Sequence, residues 1–220
     1  MNLDDLDAPR RGALLAGARR TTFVRGDFVF TPGDRADCVY VVDCGRIKIV
    51  LTTPGGAESI VAIRNPGDLF AELAWATGRT ARASSAIALD QSDVYRIDND
   101  SFERSLRADA TLCSHFARGL ARRLAGVERE LTELAGKSVP GRLVDVLGRL
   151  AADHGVREDD GTVRIALSLT HKDLADLIGT TRETLTKELG VLADVGLVRV
   201  AHRTIVLLQP RAFPFALRRA

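Results

Sequence analysis

The sequence predicts an α+β protein with three parts: an N-terminal β-roll of the jelly-roll type, one long helix and a C-terminal winged helix-turn-helix domain. Short β-branched runs bounded by Gly and Pro predict the first part. An apolar repeat of helical period predicts the second, and two capped helical patterns around a glycine predict the third. We expect the parts to span residues 1–110, 111–137 and 138–220.

The β-roll is predicted from the segment between Thr22 and Ile97. Its β-branched runs read FVF, CVYVV, RIKIVL, SIVAI and DVYRI, and turn sequences such as PGD at residues 32–34 and 66–68 separate them. Many short strands with turns about every 8–12 residues are typical of a sandwich or jelly roll.

The long helix is predicted from an apolar seam whose steps alternate between four and three residues. Charged residues at the outer positions favour a parallel homodimer through this seam; packing on the chain's own β-roll is the alternative. Gly136, Lys137 and Ser138 then predict a hinge before the next domain. The seam consists of Cys113, Ala117, Leu120, Leu124, Val127, Leu131 and Leu134.

The helix-turn-helix is predicted from two N-cap signatures. Thr170 precedes Asp173 by three residues, Thr180 precedes Glu183 by three, and Gly179 lies between the two helices. The segment LVRVAHRTIVLL that follows predicts a β-hairpin wing.

The second helix of this motif has an apolar face of leucines and an opposite face with Arg182, Glu183 and Lys187 near its N-terminal half. A helix in the major groove presents its first turns to base edges, where basic side chains bind guanine and a carboxylate accepts from cytosine. We therefore predict that these three residues contact bases. Further candidate DNA contacts are Thr180, Thr181, Thr186, His171, Arg199 and Arg203.

Charge and hydropathy exclude several classes of protein. The formal net charge of +2 excludes a protein that binds polyanions over its whole surface, and the positive excess lies from Arg182 onward, where 7 Lys or Arg accompany 3 Asp or Glu. The acidic start MNLDDLDAPRR does not resemble a signal peptide, and no apolar run reaches membrane-spanning length. We expect a cytoplasmic protein that does not enter membranes.

The three cysteines fit a reducing compartment and show no metal-ligand spacing, so we expect no metal. If Cys38 and Cys44 share one strand, they lie roughly 20 Å apart, which is beyond disulfide reach. We expect buried cysteines that behave as small apolar residues.

Four segments resemble the cAMP receptor protein/FNR (CRP/FNR) superfamily of bacterial transcription regulators, and the resemblance extends over nearly the whole chain. GDRADCVYVVDCGRIKIV and PGDLFAEL resemble its cyclic-nucleotide-binding β-roll, LARRL its dimer helix and TTRETLTKEL its recognition helix. The resemblance implies a homodimer on a double-stranded DNA palindrome with GTGA-like half-sites and a contact with RNA polymerase. It places Arg182, Glu183 and Lys187 at the base-reading positions, with Lys187 where cAMP-responsive members have Arg.

The resemblance also implies an effector pocket. Glu72 and Arg82 match the residues that hold the ribose and phosphate of cAMP, and Leu73 lies beside them. Ala83 replaces a phosphate-binding Ser, which removes a hydroxyl donor. Three further positions depart from the cAMP-binding pattern, namely Ala71, Val127 and Glu128.

These departures disfavour cAMP as the effector, and no cofactor is required for folding. Two alternatives concern the same stretch. Arg79, in Arg79-Thr80-Ala81, could take the place of Arg82, or Glu72 and Arg82 could form an ion pair that closes the β-roll.

Two functions are consistent with the sequence. The first is a homodimeric DNA-binding transcription regulator that does not respond to cAMP in the usual way. The second is a cyclic-nucleotide-dependent allosteric regulator whose C-terminal domain contacts protein instead of DNA. An enzyme is not expected, because the chain has no phosphate loop, nucleophile elbow or metal-ligand spacing.

Overall fold

The computed structural model describes residues 1–53, 55–201 and 203–214, except for the side chains of residues 129–135. The chain divides into two compact units, Met1–Glu128 and Arg129–Ala220. In the described part, no helix is both long and apolar enough to cross a bilayer.

The first unit is a two-sheet β-roll with helices at both ends of its sequence. A 3-10 helix (Leu3–Asp5) and α1 (Ala8–Leu15) precede the strands, and α2 (Glu72–Ala76) interrupts them. Helix α3 (Asn99–Ala108) follows them, and α4 (Ala110–Gly136) continues into the second unit. The strands are β1 (Arg19–Phe23), β2 (Phe28–Phe30), β3 (Cys38–Cys44), β4 (Ile47–Thr52), β5 (Glu58–Arg64), β6 (Leu69–Phe70), β7 (Ser85–Ala88) and β8 (Ser92–Asp98).

The strands form two antiparallel sheets, ordered β1-β8-β3-β6 and β2-β7-β4-β5. Side chains from both sheets, including Phe30, Val42 and Phe70, share one buried cluster, so the sheets pack face to face. The predicted jelly-roll fold is confirmed.

Helices cover the outer face of the first sheet. Val39 and Val41 of β3 belong to a second buried cluster together with Phe102 of α3 and Phe116 of α4. Strand β3 is therefore buried on both faces, which explains its nearly continuous apolar sequence CVYVV. Trp75 packs edge-on against both phenyl rings, at centroid distances of 5.0 and 5.8 Å.

The second unit has the winged-helix architecture that the sequence predicts. Ser138 is the N-cap of α5 (Val139–His154), which carries a proline in its first turn and buries Leu143, Leu147 and Leu150. Phe213 in the tail is also buried. The elements that follow α5, in chain order, are β9 (Gly155–Arg157), β10 (Val163–Ile165), α6 (His171–Ile178), α7 (Arg182–Asp194), β11 (Val198–Ala201), β12 (Thr204–Leu207) and a 3-10 helix (Pro210–Ala212).

One antiparallel sheet, ordered β11-β12-β10-β9, completes the second unit. Strands β11 and β12 form the predicted hairpin, and within the segment TVRIALS the strand β10 comprises Val163–Ile165.

Candidate functional site

The first helix of the helix-turn-helix, α6, begins at the predicted cap. The Thr170 side chain accepts from the Asp173 N–H and the Asp173 carboxylate accepts from the Thr170 N–H, so both halves of a capping box are present. Gly179 ends α6 in the left-handed conformation, with φ of 67°.

The predicted cap of the second helix, Thr180, is wrong by one residue. The Thr180 N–H donates to the Ala175 carbonyl oxygen at 3.1 Å, so Thr180 still belongs to the end of α6. Thr181 caps α7 instead, and its hydroxyl accepts from the Thr184 N–H at 3.2 Å.

Helix α7 separates its apolar and charged residues as predicted. Leu185 and Leu189 are buried, whereas Arg182, Glu183 and Lys187 are exposed. Within the described part of the chain, these three charged side chains have no ion pair. Their charged ends are therefore available to an external ligand.

A recess of about 480 Å³ joins the start of α6, the start of α7 and the turn of the wing. It brings together three of the predicted DNA contacts, His171, Arg182 and Arg203. Thr186 lies next to them, because His171 Nδ1 and Thr186 Oγ1 are 2.9 Å apart. The recess is lined by Thr170, His171, Lys172, Arg182 and Arg203.

Arg142 on α5 supports this motif and was not anticipated from the sequence. Its Nε donates to the carbonyl oxygen of Ile178 at 2.9 Å, and its Nη2 to that of Gly179 at 3.3 Å. Arg142 therefore satisfies two carbonyl groups at the C-terminal end of α6, where the turn to α7 begins.

The first unit contains a cavity of about 540 Å³ against β4, β5 and α2. Of the six predicted effector-pocket residues, it brings together Glu72, Leu73, Arg82 and Ala83. Other polar residues in its wall, including Ser84, were not singled out from the sequence. The lining consists of Phe30, Ile49, Leu51, Val61, Arg64, Phe70, Ala71, Glu72, Leu73, Ala74, Thr77, Arg79, Ala81, Arg82, Ala83 and Ser84.

The other two predicted pocket residues, Val127 and Glu128, do not line this cavity. Both lie on α4 and are exposed. The residues of α4 that pack into the buried cluster of the first unit include Leu112 and Phe116, further toward its N-terminus.

Ala71 adopts a backbone conformation that favours glycine, with φ of 66° and ψ of 10°. Of the described residues, it is the one non-glycine residue with positive φ. Its carbonyl oxygen accepts a hydrogen bond from Arg82 Nη1 at 2.8 Å. The strained residue therefore helps to position the cavity's arginine.

Arg82 is buried in the cavity wall and is 5% exposed. Its Nη2 donates to the Cys38 carbonyl oxygen at 2.6 Å, and its guanidinium carbon lies 4.7 Å from the centre of the Phe30 ring. Its Nε is also buried and has no hydrogen-bond partner among the described residues. Arg79, the alternative to Arg82, lines the same cavity but is exposed.

The proposed ion pair between Glu72 and Arg82 is not formed. Glu72, which is 2% exposed, pairs instead with Arg123 of α4, whose Nη2 also donates to the Leu69 carbonyl oxygen. Arg82 donates instead to the carbonyl oxygens of Ala71 and Cys38.

The apolar seam of α4 is only partly exposed. Cys113 and Ala117 are exposed, and Leu124 and Val127 are 61% and 49% exposed. Leu120 packs against the buried cluster of its own unit. The side chains of Leu131 and Leu134 lie outside the described residues.

The three cysteines are free thiols. Cys38 is buried as expected, and burial raises the pKa of its thiol. The expectation of burial is wrong for Cys44 and Cys113, which are both exposed. Cys44 lies at the end of β3, with its Sγ 3.3 Å from a carboxylate oxygen of Asp93.

Comparison with known proteins identifies the family of this chain. Residues 20–109 match the family model of the cyclic nucleotide-binding domain, and residues 141–213 match that of the Crp-like helix-turn-helix domain. A CRP-like cAMP-activated global transcriptional regulator of Mycobacterium tuberculosis is 31% identical over 195 residues, which are 89% of this chain and 86% of that protein. The chain belongs to the CRP/FNR superfamily of transcription regulators.

Other CRP/FNR relatives match over similar lengths. A global nitrogen regulator of Synechocystis is 32% identical over 192 residues, which are 87% of this chain and 85% of that protein. The solved structure of the c-di-GMP responsive global regulator CLP of Xanthomonas campestris has a TM-score of 0.79 at 24% identity, covering 91% of this chain and 99% of that chain.

Both candidate sites of this CRP/FNR member lie inside the matched segments. The cavity residues fall within the cyclic nucleotide-binding match, and the recess residues fall within the helix-turn-helix match. The family resemblance inferred from short motifs is therefore confirmed for both units.

Proposed function

We propose that this chain is a homodimeric regulator that binds a DNA palindrome in a sequence-specific manner through α7 and responds to an effector that occupies the β-roll cavity. The observation that carries the proposal is the exposed group of Arg182, Glu183 and Lys187 on the first turns of α7. The regulator acts in the cytoplasm, where its DNA lies, with RNA polymerase as a partner and no catalytic activity of its own.

Base reading requires charged groups that are exposed but well positioned. The Thr181 cap and the buried leucines fix α7, and Arg182 extends into the recess together with His171 and Arg203. Arg182 and Lys187 are suited to guanine and Glu183 to cytosine. His171, Thr181, Thr186 and Arg203 then serve as contacts to the phosphate backbone.

The test is fluorescence anisotropy on a labelled palindrome with GTGA-like half-sites, at fixed salt. Arg182→Ala is expected to weaken specific binding by ~1–3 kcal/mol and to leave most nonspecific binding intact. The matched control is Arg157→Ala, which removes an exposed arginine from β9, at the opposite sheet edge from the wing strand β11. Equal loss of specific and nonspecific affinity in Arg182→Ala rejects the base-reading role.

Dimerisation is proposed through α4. Its residues Cys113, Ala117, Leu124 and Val127 are exposed on one stripe, and a partner helix with the same stripe buries them. Sedimentation equilibrium should show a dimer, and Leu124→Glu should shift it toward monomer, whereas the exposed substitution Arg118→Glu should not.

The effector is proposed to differ from cAMP in its usual binding mode. Ala83 supplies no hydroxyl group, and Ala71 adopts the left-handed conformation only with strain. Val127 and Glu128 replace hydroxyl residues that bind adenine in cAMP-responsive members. Relatives of nearly equal identity are described as cAMP-activated and as a nitrogen regulator, so family membership leaves the effector open.

A cAMP-dependent regulator is the second candidate, because Ser84 also lines the cavity and carries the hydroxyl group that Ala83 lacks. Titration of cAMP into the anisotropy assay separates the two functions. DNA binding that is unchanged by cAMP supports the first; binding that requires cAMP supports the second.

A further inference from the structure

The cavity contains a second arginine that the family pattern does not account for. Arg64, the last residue of β5, lines the same cavity as Arg82 and also borders a smaller recess beside Asp68 and Arg123. Its Nε is buried and has no hydrogen-bond partner within the described residues.

The surroundings of Arg64 leave its charge poorly compensated. Burial lowers its pKa to about 10, and the positive charge of Arg123 acts in the same direction. Arg64 is therefore still protonated at neutral pH. The nearby carboxylates of Glu72 and Asp68 act in the opposite direction on this pKa, but their hydrogen bonds are to other groups. Glu72 pairs with Arg123, and Asp68 accepts from the Asn65 N–H and from Asn2.

Arg82 also has one N–H group without a hydrogen-bond partner among the described residues. Its two terminal nitrogens bind the carbonyl oxygens of Ala71 and Cys38, but its buried Nε has no partner among the described residues. Two guanidinium groups in one cavity wall thus each have a buried, unused N–H. Buried donors of this kind are costly unless a ligand satisfies them.

The lining has a net positive charge. The lining contains three arginines, Arg64, Arg79 and Arg82, and one carboxylate, that of Glu72. Arg123 already neutralises the charge of Glu72. A ligand with one negative charge leaves part of this charge uncompensated. Apolar side chains, including Phe30, Ile49 and Val61, form the rest of the wall, so the body of the ligand can be apolar.

We propose that the cavity binds an organic anion with two separate acidic groups, one at Arg82 and the other at Arg64. This inference rests on the proposed effector function of the cavity. Two sources fit the shared chemistry, a small dicarboxylate and a cyclic dinucleotide with two phosphodiesters. Arg64 is then the residue that distinguishes a dianion from a monoanion.

Isothermal titration calorimetry on the full chain tests this inference. The dianionic probes are succinate, adipate, phthalate and cyclic di-GMP, and the monoanionic controls are monomethyl succinate, benzoate and cAMP. At least one dianion is expected to bind about tenfold tighter than its monoanionic control, because one additional charge-assisted hydrogen bond raises affinity by about this factor. Whether dicarboxylates or the dinucleotide bind identifies the source.

Arg64→Gln is expected to weaken dianion binding about tenfold or more and to leave monoanion binding unchanged. The control Arg19→Gln removes an exposed arginine of β1 from the same unit and should change neither affinity. If Arg64→Gln does not fold, Arg64→Lys retains the charge and should retain the preference for dianions. Failure of every dianion to bind, or an equal loss for both ligand types, overturns the inference.

DNA binding by the same preparations separates this inference from the proposed function. Ligand-free Arg19→Gln, which changes an exposed arginine outside the cavity, should bind the palindrome as the unsubstituted protein does. Dianion binding without any specific DNA binding rejects the regulator proposal alone. Specific DNA binding without dianion binding rejects the dianion proposal alone.

Discussion

Replacing Ala71 by glycine should stabilise the first unit, which is the reverse of the usual effect of glycine near a helix. Ala71 precedes α2 with φ of 66°, where a non-glycine residue costs about 1–2 kcal/mol. Glycine removes this cost but loses about 0.4–1 kcal/mol through the greater freedom of the unfolded chain. The partly buried methyl group of Ala71 contributes a few tenths of a kcal/mol more, roughly half of one buried methylene. The net expectation is a stabilisation of about 0.5 kcal/mol.

The matched control is Ala76→Gly in the same helix. Ala76 is exposed and helical, so its replacement should destabilise by about 0.5–1 kcal/mol. Urea unfolding followed by the fluorescence of Trp75, the sole tryptophan of the chain, reports on this region. The two variants should shift the midpoint in opposite directions. If Ala71→Gly destabilises as much as Ala76→Gly, Ala71 is not strained in the folded protein, and the argument from its conformation is wrong.

Three further predictions concern single contacts. Arg123→Ala should destabilise the protein by about 3 kcal/mol, because it leaves Glu72 as an unpaired buried carboxylate. The double substitution with Glu72→Gln should recover much of this loss. Urea unfolding measures both effects. A thiol reagent should label Cys44 in the native protein and Cys38 only after unfolding, because Cys38 is 2% exposed whereas Cys44 is exposed. Mass spectrometry of the labelled peptides measures this difference. Thr170→Ala should cost about 1 kcal/mol by removing the cap of α6, and thermal unfolding should detect this loss, whereas equal stability rejects the capping box.

Local sequence signals predicted the parts of the fold that depend on neighbouring residues. The Thr170–Asp173 capping box and the Gly179 turn are set by contacts within one or two helical turns, and both are present. The sequence does not distinguish Thr180 from its neighbour Thr181 as the cap of α7. The structure does, because the Thr180 N–H donates back to α6.

Other elements depend on long-range pairing. Strands β1 and β7 were missed because RRTTF is exposed and polar and SAIA is rich in small residues. Strand β1 is stabilised by pairing with β8, and β7 is stabilised by pairing with β2 and β4. The Glu72–Arg123 pair joins residues 51 positions apart, and no spacing rule predicts it.

The Glu72–Arg123 pair gives the cavity a direct physical connection to α4. Arg82 is fixed by the carbonyl groups of Ala71 and Cys38, neither of which belongs to α4. Arg123 differs, because a ligand group that bonds to Glu72 or to Arg123 alters a contact between the cavity and the helix. A ligand shifts a conformational equilibrium only through contacts that differ between the two states. The Glu72–Arg123 pair is therefore a contact through which the proposed effector would act on α4 and on the proposed dimer.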